Sequence, residues 1–147
     1  MPSGTQDEID PAIAMRIAAL SEEMQRNGGE RDDPVRSIMG LLGDRWSALI
    51  LLVLATGEWR HADLRRTTAR LSSEQAISQR VLTLKLRSLE REGLVARHAT
   101  ADVPPKVSYS LTPLGRELHG EVRRQIDWIS QRRSVIEKAR RAFDEDA

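Results

Sequence analysis

Ile13, Ile17, Leu20 and Met24 recur three or four residues apart, the spacing of one face of a helix. Asp10-Pro11 opens that helix, an N-cap acceptor followed by a residue that needs no partner for its nitrogen. Asn27-Gly28-Gly29 closes it. Asp33-Pro34 starts a second helix with Val35, Ile38, Met39, Leu41 and Leu42 as its apolar residues. Gly43-Asp44 interrupts it and caps a third, Arg45 to Thr56, apolar nearly all round and therefore expected at the centre of a core. Glu58-Trp59-Arg60 has room for an edge strand. His61 to Ala69 predicts a short amphipathic helix with Leu64 inward and Arg65 and Arg66 outward. Arg70 to Gln75 predicts a polar loop, and Ala76 or Ile77 to Glu92 a longer helix with Leu82, Leu86 and Leu89 on one side.

The period then changes to two. Leu94 to His98 and Lys106 to Leu111 alternate as strands, and Val103-Pro104-Pro105 between them rules out a tight turn and makes a projecting loop. Thr112-Pro113 opens one last long helix, striped by Leu114, Leu118, Val122, Ile126, Ile129, Ile136 and Phe143. The order is a mainly α fold with a small β wing (α+β): a helix pair followed by a two-stranded hairpin, the layout of a winged helix-turn-helix. The expected organisation is a disordered tail at 1–9, a dimerising helix and link at 10–32, the winged helix-turn-helix at 33–115, and a C-terminal dimerisation helix at 116–147.

Charge sharpens this picture. The net charge of the 147 residues is +1, but residues 1–59 carry 5 basic against 10 acidic side chains, residues 60–110 carry 10 against 5, and residues 111–147 carry 8 against 7. A basic middle suits a polyanionic partner. The chain has no cysteine, which removes disulfides, zinc–thiolate sites and thiol chemistry and fits a reducing cytosol. No apolar run approaches the length of a membrane span, and the polar, acidic start is unlike a signal peptide. A cytoplasmic protein with no membrane contact is expected.

The second helix of the pair is the one expected to enter the major groove. With Leu82, Leu86 and Leu89 inward, Arg80, Thr83, Leu84 and Arg87 point outward, and Ser78 and Gln79 fall in the first turn. Gln pairs with adenine and Arg with guanine through two hydrogen bonds each, and Leu84 can pack on a thymine methyl. Arg65, Arg66, Arg97, His98 and Lys106 suit phosphates, which add affinity and salt dependence but no sequence choice.

These residues resemble a known family. Gly43-Asp44-Arg45-Trp46, Asp63-Leu64-Arg65-Arg66, the run from Ile77 to Val95, and the run from Val103 to Gly115 are together similar to the HxlR-type winged helix-turn-helix regulators, with Trp128 where that family often has a late Trp. The resemblance covers about residues 33–130. It implies a homodimer that binds double-stranded DNA, and repression or activation of nearby genes, with Ser78, Gln79, Arg80, Thr83 and Arg87 carried over as DNA contacts. Three features depart from the family. Asp33-Pro34 stands where Cys-Pro is usual, so the thiol sensing of oxidants or aldehydes found in some members is closed to this chain. Ten residues separate Arg66 from Ile77, an enlarged turn. Leu84 occupies a site that is usually polar.

The stripes at both ends need a partner surface, because an isolated helix of such length is marginal in water. Ile13, Ile17, Leu20 and Met24 of the first helix, and Val122, Ile126 and Ile129 of the last, are expected at a dimer interface. Two-fold symmetry would set two recognition helices about 34–36 Å apart on an inverted repeat. A small-molecule effector between the dimerising helices is compatible with this, although nothing indicates its chemistry. The alternative is a winged helix that docks on protein and never touches DNA. His61, His98 and His119 lack partners at metal or catalytic spacing, and no cofactor or enzymatic activity is expected.

Overall fold

The structure, a computed structural model, describes residues 9–72 and 76–146. The chain forms two compact units that divide between Leu41 and Leu42.

The first unit holds α1 (Pro11–Arg26) and most of α2 (Pro34–Gly43). The Asp10 carboxylate accepts the Ala12 N–H at 2.8 Å, and Pro11 occupies the first turn. Gly28 turns the chain with φ +118°, a conformation side chains resist, and lies buried close to Val35. Asp33 caps α2 by accepting the Val35 N–H at 2.8 Å. Neither helix buries a residue fully, and Ile13, Ile17, Leu20 and Met24 are exposed.

In the second unit α3 (Arg45–Leu54) is the core helix. Asp44 accepts both the N–H and the hydroxyl of Ser47, at 2.9 and 2.6 Å, and fixes its start. Ile50, Leu51 and Leu54 are almost wholly buried. Around α3 pack α4 (His61–Leu71), α5 (Gln79–Arg91), α6 (Pro113–Gln131) and a sheet. The sheet is antiparallel in the order β1 (Trp59–Arg60), β3 (Val107–Leu111), β2 (Val95–Ala99), with Trp59 opposite Tyr109 and Arg97 on its other side. The short strand expected at Trp59 is thus an edge strand. Leu64, Leu82, Leu86, Leu89, Leu94, Val95, Tyr109 and Leu111 complete the core, so the leucine stripe of α5 faces inward as its spacing predicts.

A hydrogen-bonded knot joins α5, the wing and α6. Gly93 ends α5 with φ +77°. The Thr112 hydroxyl donates to the Gly93 carbonyl at 2.6 Å and accepts the Gly115 N–H at 3.0 Å, while the Thr112 N–H donates to the Leu94 carbonyl at 3.1 Å. A Cβ at Gly115 would sit far inside contact distance of that same Leu94 oxygen.

Four expectations are corrected. The long last helix is two helices, α6 and α7 (Arg133–Asp146), broken at Arg132, whose N–H turns back to Ile129 and whose guanidinium stacks 4.2 Å over Trp128 and donates to the Trp128 carbonyl. Val122, expected at a dimer interface, is 4% exposed because α6 lays that part of its stripe on α3. α5 begins at Gln79 rather than Ala76 or Ile77, since Ser78 takes extended angles and caps it through Val81 N–H at 3.1 Å. α4 runs on to Leu71 instead of ending at Ala69, which shortens the loop expected from Arg70. Residues 73–75 of that loop and 1–8 of the expected tail lie outside the described residues.

Candidate nucleic-acid interface

The outer face of α5 follows from its register. Because Leu82, Leu86 and Leu89 hold the helix to the core, Gln79, Arg80, Leu84, Arg87 and Ser88 are exposed. Leu84 is 54% exposed, an apolar group held in water between two arginines. Ser78 sits at the cap with its hydroxyl occupied by Val81 N–H.

Thr83 differs from its expected role. It is half-buried, its hydroxyl donates to the Gln79 carbonyl at 2.9 Å, and it lies 3.0 Å from the His61 Nε2. A hydroxyl has one proton, and here it goes to the carbonyl, so His61 must donate from Nε2 and carry its lone pair on Nδ1. The Thr83 hydroxyl is therefore committed inside the protein instead of free for a base. Burial, and then the neighbouring Arg65 guanidinium, hold His61 below the ordinary imidazole value. Its ring also leans on Tyr109, 6.4 Å between centroids.

A second tether lies further along α5. Lys85 Nζ stands 3.2 Å from the Asp44 carboxylate that caps α3. Burial pushes the Asp44 carboxyl up, but the Ser47 hydrogen bonds and Lys85 outweigh it and leave the pKa below the ordinary carboxylate value. His61 and Lys85 thus fix the pose of α5 from two sides. The sequence marks Asp44 as a cap but gives no sign of either long-range tether.

The remaining cations surround this helix in sequence. On α4, Arg65 is half-buried beside His61, and exposed Arg66 pairs with Asp63. Arg66 also lines a cleft of about 470 Å³ with Trp59, Arg60, Thr67 and Arg70. Arg60 and Arg70 are basic groups that the sequence reading leaves unassigned. On the wing, Arg97, His98 and Lys106 are exposed, with His98 Nε2 3.0 Å from the Ser110 hydroxyl. Lys106 and Thr100 pair across the base of the loop at 2.9 and 3.0 Å, and Val103 at its tip is 98% exposed. Among the described residues Arg80, Arg87, Arg97 and Lys106 make no ion pair, whereas Arg66, Lys85, Arg91 and Arg124 do. Unpaired cations on a helix and a hairpin can neutralise phosphates without first giving up an internal partner. Among the described residues no His, Asp and Glu group is placed to hold a metal ion, and no single helix is long and apolar enough to cross a membrane.

Comparison with known proteins agrees with this geometry. Residues 41–137 match the model of the HxlR-like helix-turn-helix family. The chain is 37% identical to the HTH-type transcriptional regulator YdeP of Bacillus subtilis over 114 residues, 76% of this chain and 84% of that one. It is 38% identical to YtfH of Escherichia coli, also an HTH-type transcriptional regulator, over 116 residues, 78% of this chain and 87% of the other. Its structure resembles that of the redox regulator HypR in its reduced form, with a TM-score of 0.59 and 37% identity over 72% of this chain and 99% of that one. The protein belongs to the HxlR-like helix-turn-helix family and is a DNA-binding transcription regulator with a winged helix-turn-helix.

Proposed function

We propose that this regulator binds an inverted-repeat operator as a homodimer, with α5 of each protomer in successive major grooves about 34–36 Å apart. The observation that carries the reading is the outer face of α5, where Arg80, Leu84 and Arg87 are exposed and the two arginines make no ion pair among the described residues. Gln79, Arg80 and Arg87 read base edges, Leu84 packs on a thymine methyl, and Ser78 and Thr83 set the start and the pose of the helix. Arg65, Arg66, Arg97, His98 and Lys106 meet the phosphate backbone, joined by Arg60 and Arg70.

The homodimer forms through α1 and the outer face of α6. Ile126, Trp128 and Ile129 are 39%, 56% and 53% exposed. Trp128 and Ile129 line a mainly apolar groove of about 390 Å³ with Glu121, Arg124 and Gln125. Apolar faces of this kind on helices call for a partner surface. The same groove, closed by a second protomer, has the size of a small-molecule site and gives an effector a place from which to change half-site spacing. The protein acts in the cytoplasm without catalysis. HypR is a redox regulator, but this chain has no cysteine, so its effector acts by binding rather than by oxidising a thiol.

Selection of binding sites from random duplex DNA at moderate salt tests this reading. An enriched inverted repeat with half-sites one helical turn apart, bound more weakly as salt rises, is expected. Failure to enrich any sequence removes α5 as a reader of bases, and salt-insensitive binding to a protein instead would favour a protein-docking winged helix.

A further inference from the structure

Trp59 and Arg60 form β1, and the chain enters α4 directly after them. Asp63, Arg66, Thr67 and Arg70 recur three or four residues apart, so they share one face of that helix. This face and β1 line the cleft of about 470 Å³, together with Glu58. A volume of that size is in the range of sites that take small organic molecules.

Most of the polar groups in the cleft are already committed. Trp59 Nε1 donates to the Thr56 hydroxyl at 3.0 Å, and that hydroxyl donates to the Val53 carbonyl at 2.7 Å. The indole is therefore pinned, its one polar atom is spent, and what it offers the cleft is carbon surface. Glu58 accepts from the Ser108 hydroxyl, and Asp63 accepts from Arg66. Arg60 and Arg70 are exposed and, among the described residues, make no ion pair. Three guanidinium groups against two carboxylates leave the cleft with a positive surplus.

We propose that this cleft binds a small aromatic carboxylate, its ring against Trp59 and its charge met by the arginines. A guanidinium fork takes a carboxylate through two parallel bonds, and Arg60 and Arg70 give up no internal partner to do so. A bare phosphate group would use the cations but leave the indole surface and most of the volume empty. The site is separate from the apolar groove on α6. Its effect on DNA rests on the reading that Arg60, Arg66 and Arg70 meet the phosphate backbone. Ligand and DNA strand then compete for the same cations, so an aromatic acid in the cleft releases the operator.

1-Naphthoate is the probe, with uncharged 1-naphthamide as its control, each added to the full-length protein without DNA. The chain has three tryptophans and so three indole N–H signals by NMR, of which Trp59→Phe removes the one in the cleft. Naphthoate is expected to shift the Trp59 signal saturably, and naphthamide to bind at least about tenfold more weakly. Arg60→Gln combined with Arg70→Gln is expected to raise the naphthoate dissociation constant at least about tenfold, as loss of a charge-assisted hydrogen bond does. Both side chains are exposed, so the variant should fold, and its unshifted Trp46 and Trp128 signals will verify this. A Trp59 signal unmoved by millimolar naphthoate overturns the site, as does an equal response to naphthamide or an unchanged constant in the double variant. Inorganic phosphate that displaces naphthoate at equal concentration marks a seat for phosphate alone and overturns the aromatic ligand. Operator binding is expected to weaken in step with occupancy of the cleft. Undiminished operator affinity at full occupancy leaves the site standing and removes these arginines from the phosphate contacts.

Discussion

His61 donates from Nε2 to the hydroxyl of Thr83 across 3.0 Å, and this bond joins the first turn of α4 to the exposed helix α5. Thr83→Val keeps the shape of the side chain and removes the acceptor. The bond stabilises by about 1 kcal/mol, and its loss leaves a half-buried N–H without a partner. A slightly lower midpoint in urea is expected, together with weaker operator binding at unchanged salt dependence, because the helix is less firmly held but no phosphate contact is removed.

The same histidine sets a pH dependence. Its folded-state pKa lies below the ordinary value of 6.5, so the unfolded chain takes up the proton more readily. Its contribution to stability is therefore complete above about pH 6.5, declines as the pH falls from there toward the folded value, and is level below it. Urea unfolding of wild type and His61→Gln at pH 8 and pH 5.5 measures this. The wild type should lose more stability between the two than the variant, and equal losses would remove His61 as the cause.

Asp44 serves two elements, and two substitutions separate them. Asp44→Asn can still cap α3 but releases Lys85; Asp44→Ala loses both contacts. Loss of a cap costs about 1 kcal/mol, and a deserted Ser47 hydroxyl adds to it. Thermal melts should rank wild type, Asp44→Asn, Asp44→Ala in falling stability. The carboxylate's own contribution is present above its ordinary value of about 3.8 and disappears as the pH falls through its lower folded pKa.

Arginines on the helix and on the wing should fail differently. Arg80→Ala or Arg87→Ala should cost about 1–3 kcal/mol of operator binding and relax the preference at one base position. Arg97→Ala or Lys106→Ala should weaken all duplexes alike and reduce the salt slope by about 1. Leu84→Ala should lower discrimination at a single thymine. Titration of one operator and one unrelated duplex at several salt concentrations distinguishes the classes, and identical profiles for Arg80 and Lys106 variants would contradict the division of labour.

Gly115→Ala places a methyl group, fixed in position by the helix backbone, against the Leu94 carbonyl, where no rotamer can relieve the clash. Overpacking of this kind costs about 1–3 kcal/mol or more. The melting temperature should drop by several degrees, more than for Gly120→Ala, where a Cβ meets nothing within 4 Å.

Much of this architecture was legible from local spacing. Leu82, Leu86 and Leu89 orient α5, the Pro104-Pro105 loop separates the wing strands, and Thr112-Pro113 starts α6. The break at Arg132 was not legible, because Ile129 and Ile136 are seven residues apart and stay in helical register across it, with no Gly or Pro to mark the stop. Val122 was misassigned for a related reason: one stripe serves the core at its middle and another surface further on, and periodicity does not say where the change occurs. The tethers at Thr83 and Lys85 depend on residues 22 and 41 positions away, and pattern within a helix carries no trace of them.

The knot at Thr112 joins three elements through one side chain and its own backbone. Thr112 bonds to Gly93, Leu94 and Gly115 at once, so the start of α6 is seated on the root of the hairpin. A tilt of α6 therefore bears directly on the last turn of α5 and on the strand that follows it.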